Sequence, residues 1–125
     1  MLSHVSFGTH DADRAKAFYD PVLAELGIGA GKRRGGSVDY GAAMVGFSLE
    51  QPVDVAPASA GNGAHVCFIA ESHAAVDAFH RVALANGGTC DGRPGLRPAY
   101  DANYYAAFVR DPDGNKIEAV CFMAK

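Results

Sequence analysis

Along the first 27 residues the chain alternates, then changes period. His4-Val5-Ser6-Phe7-Gly8 places Val5 and Phe7 on one side and His4 and Ser6 on the other, the signature of a half-buried strand. From Asp11 the apolar positions Phe18, Val22, Leu23 and Leu26 fall on one side of a helix. Asp11 or Asp13 can cap that helix, Pro21 is expected to bend it and Gly27 to end it. The same phrase returns 61 positions later. His65-Val66-x-Phe68 repeats His4-Val5-x-Phe7, Ala78-Phe79 repeats Ala17-Phe18, Leu84-Ala85 repeats Leu23-Ala24, and Gly88 repeats Gly27. The second copy predicts a strand over His65–Ala70, a cap at Ser72, a helix carrying Val76, Phe79 and Ala83, and a stop at Asn86-Gly87-Gly88.

Strands and turns follow each helix. Ser37–Ala43 and Met44–Glu50 are expected as strands in the first half, and Thr89-Cys90, Tyr104–Arg110 and Lys116–Phe122 in the second. Asp111-Pro112-Asp113-Gly114 predicts the hairpin turn between the last two, with proline setting one φ and glycine supplying a positive one. The order is βαβββ, twice: an α+β chain that is a single domain over 1–125. Module one covers about 1–55 and module two about 62–125, joined by the Pro-, Ala- and Gly-rich stretch Gln51–Gly63. The 15 glycines in 125 residues suit a chain with many turns.

Charge and cysteines narrow the function classes. Eleven Lys+Arg against 14 Asp+Glu give −3, without the basic excess of a nucleic-acid binder. No apolar run is long enough to cross a bilayer, and Met1–His4 lacks the regions of a signal peptide. The three cysteines, Cys67, Cys90 and Cys121, form no CxxC pair, so a cytoplasmic, reduced protein is expected. The loop Gly27–Gly36 matches neither phosphate-binding glycine motif: Lys32 and Arg34 stand where a third glycine would be needed, and Arg33 where a Walker motif needs Ser or Thr. That loop is expected to be a solvated connector.

Strand parity assigns faces. Val5 and Phe7, then Val45, Phe47 and Leu49, then Val66 and Phe68, then Ala106 and Phe108, then Ile117, Ala119 and Cys121 form the sides covered by helices. The opposite faces carry His4 and Ser6, Ser48 and Glu50, His65 and Cys67, Tyr105 and Ala107, and Glu118. On that parity Tyr105 points to a cleft and Tyr104 to the core, while Tyr100 and Asp101 overhang the cleft. Ordinary packing is the competing role for all three tyrosines. Cys67 reads as a small filler, and His10, His73 and His80 as surface residues. A lone histidine on a strand is more often structural, and Glu118 alone could be a solvated edge residue. His4 and His65, however, occupy the same place in two repeats. If pseudo-twofold symmetry relates the halves, they face each other across the axis, and with Glu118 they form a divalent-metal site with open positions.

These residues also resemble the vicinal oxygen chelate superfamily: glyoxalase I, extradiol dioxygenases, fosfomycin-resistance enzymes and bleomycin-binding proteins. Three motifs carry the resemblance, and together they span the chain. They are His4-Val5-Ser6-Phe7 with Asp13-Arg14-Ala15-Lys16-Ala17-Phe18-Tyr19, then Ala64-His65-Val66-Cys67-Phe68, and Phe108-Val109-Arg110-Asp111-Pro112-Asp113-Gly114-Asn115-Lys116-Ile117-Glu118.

The resemblance implies a glyoxalase-like fold, two βαβββ modules whose eight strands curve around one cleft. It implies His4, His65 and Glu118 as ligands of a divalent ion (nickel, zinc, cobalt, manganese or iron). Glyoxalase I-like members take a fourth ligand from the last strand of the first module. Here that slot is Ser48, with Glu50 two residues on, so either Glu50 reaches the metal, or Ser48 takes its place, or three ligands suffice. The implied chemistry is isomerisation of the lactoylglutathione lyase type on a small-molecule substrate, with Glu118 or Glu50 moving the proton; for dioxygenase chemistry Tyr100, Tyr104 and Tyr105 are the candidate catalytic acids or bases, of which parity turns Tyr105 to the cleft. The alternatives are ring cleavage with ferrous iron and non-catalytic binding of a small molecule or antibiotic. Relatives often dimerise, and Phe122 and Met123 are candidates for a homodimer interface.

Overall fold

The computed structural model describes residues 1–41 and 45–125. Its element order is β1 (His4–Gly8), α1 (Ala12–Ala24), β2 (Lys32–Arg34), β3 (Ser37–Tyr40), β4 (Gly46–Glu50), β5 (His65–Ile69), α2 (His73–Ala85), β6 (Thr89–Leu96), β7 (Tyr105–Arg110) and β8 (Lys116–Cys121). The repeat is visible in the bounds: β1 and β5, and α1 and α2, begin and end 61 residues apart. So do their caps. Asp11 accepts from the Arg14 amide and Ser72 from the Ala75 amide, each at 3.0 Å, which satisfies a free N–H in the first helical turn. Pro21 lies inside α1, which continues to Ala24.

The eight strands pair as two four-stranded sheets, one per module, in the orders β1-β4-β3-β2 and β5-β8-β7-β6. In each, the first and last strands of the module run parallel and the others antiparallel. Two strands differ from the sequence expectation. Lys32–Arg34, expected in a solvated connector, forms β2 and pairs with β3. β6 is far longer than Thr89-Cys90 and carries irregularities at Gly92 and Gly95. The expected strand ends at Ala43 and Met44 lie outside the described residues.

One core serves both modules. Phe18, Tyr19, Val22 and Leu23 of α1 and Val76, Phe79 and Ala83 of α2 are buried against Phe47, Leu49, Val109, Ile117 and Ala119. Phe47 and Phe68 meet edge to face across the modules, ring centres 5.2 Å apart. Gly88 ends α2 where a Cβ would lie 2.7 Å from the Phe18 ring and 2.9 Å from the Ala83 carbonyl, so glycine lets the helices close up there.

The Asp-Pro-Asp-Gly turn ties the modules together. Asp111 Oδ1 accepts from the amides of Asp113 and Asn115 at 2.9 Å, and Gly114 takes a φ of 90°. Asp111 Oδ2 accepts from the Tyr19 hydroxyl of α1 at 2.6 Å. Asn115 Nδ2 donates to the Gly8 carbonyl at 3.0 Å, and Asp113 accepts from Thr9 and Arg14. Both sheets therefore turn their helix-covered sides inward and present their other face outward.

Candidate functional site

The parallel pairing sets the two outward faces side for side. Cys67 pairs with Glu118 in β5-β8, and Ser6 pairs with Ser48 in β1-β4. Ser48 thus occupies in module one the slot that Glu118 occupies in module two.

In module two, Glu118 is 2% exposed. Its Oε1 lies 3.1 Å from His65 Nε2, and its Oε2 accepts from the Tyr104 hydroxyl at 2.5 Å. A buried carboxylate needs such partners to offset its desolvation. Burial, followed by the hydrogen bond to Glu118 and its charge, pushes the Tyr104 phenol well above its usual range, so Tyr104 keeps its proton and donates. Burial and the charge of Glu118 likewise push the Cys67 thiol up to about 12, which favours its neutral form. His65, Glu118 and Tyr104 line a cavity of about 490 Å³ together with Asp91, Arg97, Phe108 and Lys116.

The parity expected for β7 is reversed. Tyr105, Ala107 and Val109 pair with Cys121, Ala119 and Ile117 on the core side, and Phe108 pairs with Glu118 on the outward side. Both parities of Tyr-Ala-Ala-Phe-Val are apolar, so hydrophobicity alone does not choose between them. Tyr105 therefore lies away from Glu118. Its hydroxyl donates to Asp77 of α2 at 2.6 Å, and its ring stacks on His73 at 3.9 Å. Tyr104, one residue earlier, takes the cleft position, and Tyr100 meets it edge to face at 5.0 Å.

In module one the outward face carries His4, Ser48, Glu50 and Asp39. Asp39 pairs with Ser48 in β3-β4 and accepts from its hydroxyl at 2.8 Å. The Arg34 guanidinium grips Asp39 through two nitrogens, at 2.9 and 3.1 Å, and reaches Glu50 at 3.7 Å. Arg34, then Ser48, with His4 as a lesser neighbour, hold the Asp39 carboxyl below its ordinary value. Glu50 is thus held by an arginine, and Ser48 is turned to an aspartate that the sequence reading passed over. The alternation Val38-Asp39-Tyr40 already placed Asp39 opposite two core residues and so on this face.

The remaining histidines have ordinary partners. His10 Nδ1 accepts from the Ala58 amide, His73 Nε2 lies 3.0 Å from the Met123 carbonyl, and His80 Nε2 lies 3.1 Å from the Cys90 sulfur. Phe122 and Met123 are half-exposed or more.

Among the described residues no three His, Cys, Asp or Glu side chains converge as metal ligands. His65 and Glu118 supply one nitrogen and one carboxylate, a donor pair that suits nickel, zinc, cobalt, manganese or iron and makes half a site. His4 stands on the other sheet's outward face, so the two repeat-related histidines do not meet across a cleft within one chain. The two four-stranded sheets fit the two tandem modules expected from the sequence, with His4 on β1 of one and His65 and Glu118 on β5 and β8 of the other.

The model of the Glyoxalase/Bleomycin resistance protein/Dioxygenase superfamily matches residues 1–119, and the chain belongs to that superfamily. No curated protein matches it. Among solved structures, a glyoxalase/bleomycin resistance protein from Albidiferax ferrireducens shares 42% identity at a TM-score of 0.88, over 97% of this chain and 98% of that one. A glyoxalase/bleomycin resistance protein/dioxygenase family enzyme from Burkholderia phytofirmans shares the fold at 21% identity and a TM-score of 0.76, over 97% and 98%. A lactoylglutathione lyase from Agrobacterium tumefaciens shares it at 23% and 0.66, over 97% and 92%. No helix among the described residues is long and apolar enough to cross a membrane.

Proposed function

We propose that this protein is a divalent-metal-dependent enzyme that acts on a small molecule through two neighbouring oxygens, with its site formed between two copies of the chain. The observation that carries the reading is the division of the ligand set: His65 and the buried Glu118 face outward from module two, and His4 faces outward from module one. A twofold axis that sets module one of one copy over module two of the other makes two equivalent sites, each with His65 and Glu118 from one copy and His4 from its partner.

In this reading His65 and Glu118 of one copy and His4 of the other would hold the ion, which would supply a Lewis acid for a carbonyl oxygen of the substrate. Glu118 Oε1 lies beside His65 Nε2, and Tyr104 fixes the carboxylate by holding Oε2. Isomerisation of the lactoylglutathione lyase type needs a base that moves a proton between adjacent carbons, and Glu118 and Glu50 are the candidates. A second reading has support of its own. With Ser48 in the fourth slot and Glu50 held by Arg34, the set reduces to two histidines and one carboxylate, which suits ferrous iron and ring cleavage with dioxygen.

Subunit mixing tests the assembly. His4→Ala and His65→Ala chains are each expected to lose tightly bound metal. When the two are unfolded and refolded together, half the dimers are hybrids with one intact site, and metal content returns to about a quarter of wild type. No recovery, or a fully loaded monomer by light scattering, sinks the shared site. Oxygen uptake with a catechol separates the two chemistries.

A further inference from the structure

The cavity beside Glu118 carries positive charge that metal binding leaves unused. Arg97 follows β6 and lies back along it, donating from Nη1 to the Gly95 carbonyl at 2.8 Å and from Nη2 to the Arg93 carbonyl at 2.7 Å. Its guanidinium carbon stands 5.5 Å from the centre of the Phe108 ring. Lys116 Nζ stands 5.1 Å from the same ring and 3.4 Å from Asp91, a carboxylate already gripped by Arg110 at 3.1 Å. Arg97 makes no ion pair among the described residues.

The strand beneath is shaped around this arginine. At Gly92 a Cβ would lie 2.8 Å from the Phe108 ring and 3.3 Å from Arg97 Nη2, and at Gly95 it would lie 3.3 Å from Arg97 Nη1. Both glycines sit where the β6-β7 register shifts. Two glycines and two carbonyls therefore hold one guanidinium in a set position, with most of its five N–H donors uncommitted. Lys116 precedes Glu118 by two residues on the same face of β8, about 6–7 Å along the strand. Arg97 and Lys116, with Asp91 beside Lys116, thus line the same cavity as Glu118.

We propose that the substrate carries an organic oxyanion, a carboxylate or a phosphonate, at the end away from its two reacting oxygens, and that Arg97 and Lys116 bind that group. The placement of the reacting end rests on the proposed metal site, while the anion end stands on Arg97, Lys116 and the glycines of β6. Arg97 is the stronger determinant, because its planar fork matches an oxyanion and is preorganised.

Calorimetric titration with 3,4-dihydroxybenzoate, its uncharged amide 3,4-dihydroxybenzamide, and 3,4-dihydroxyphenylphosphonate tests this, in metal-loaded and metal-free protein. The acid is expected to bind about tenfold or more tighter than the amide. Arg97→Met should remove most of that preference and Lys116→Met part of it, with the amide's affinity and the metal content unchanged. Arg97→Lys, which keeps the charge and the fold but loses the fork, should retain part of it. A phosphonate that outbinds the acid assigns the pocket to a dianion, and the reverse order to a carboxylate. Equal binding of acid and amide to the wild-type protein overturns the proposal, as does an Arg97→Met variant that loses both equally, since the arginine would then serve only to hold β6. If the acid preference survives while metal makes no difference to either probe, the anion site stands and the metal reading falls.

Discussion

The two outward faces belong to two copies of one repeated unit and carry different groups in equivalent slots. Module two puts a buried carboxylate, Glu118, in the slot where module one has Ser48, and it supplies a tyrosine hydroxyl to hold it. Module one moves its carboxylate one strand over, to Asp39, and closes it with Arg34. The repeat has kept what both halves need for packing (Val5 and Phe7 against Val66 and Phe68, Phe18 against Phe79) and has let the chemistry diverge. The most direct way to break this comparison is to empty the equivalent slots. Glu118→Ala should weaken metal binding by more than about a hundredfold, beyond the 10- to 100-fold typical of losses outside the ligand set. Ser48→Ala removes one hydrogen bond to Asp39 and should change it by less than about threefold. Similar losses in both variants, read by competition with a chelating dye, would mean that the slots are equivalent after all.

The two neighbouring tyrosines sharpen the contrast. Tyr104 holds Glu118 Oε2, so Tyr104→Phe leaves a buried carboxylate oxygen without its donor and should weaken metal binding about tenfold. Tyr105 bonds Asp77 on the helix side, so Tyr105→Phe should leave metal affinity unchanged and lower stability by about 1 kcal/mol at most. The opposite ranking in the same dye competition would restore the parity in which Tyr105 faces the cleft.

That parity shows where the sequence is legible and where it is not. β1, β4, β5 and β8 alternate apolar with polar residues, and their faces follow directly from a period of two. β7 has apolar residues at both parities, and only its pairing to β8, with Val109 opposite Ile117, selects the face. The helices and their caps are legible because Asp11 and Ser72 stand just ahead of the periodic runs. β2 is not, because Lys32-Arg33-Arg34 has no apolar residue and is held by pairing with β3 and by ion pairs to Asp13, Asp39 and Glu50. The most recognisable motif, Asp-Pro-Asp-Gly, is a junction: Asp111, Asp113 and Asn115 fasten the start of module one and α1 to the final hairpin.

The smallest expected effect compares two aspartates with opposite shifts. Asp39 is held below the 3.8 of a free side chain, first by Arg34 and then by Ser48. It therefore stabilises the fold above that value, and the gain disappears as the pH falls through its depressed native value. Its side chain is 39% exposed, so solvent screening keeps this below about 1 kcal/mol. Asp111 is shifted upward, because burial outweighs the hydrogen bonds from Tyr19, Asn115 and the turn amides. Its contribution is fully present below 3.8 and is lost as the pH rises through its raised native value. Measured by chemical denaturation between pH 3 and 6, the deficit of Asp39→Asn should grow with rising pH and then level off. The deficit of Asp111→Asn should shrink over the same range. Two deficits of the same slope would show that the junction carboxylate is as well solvated as the one on the outward face, and that the two regions do not differ in their exposure to water.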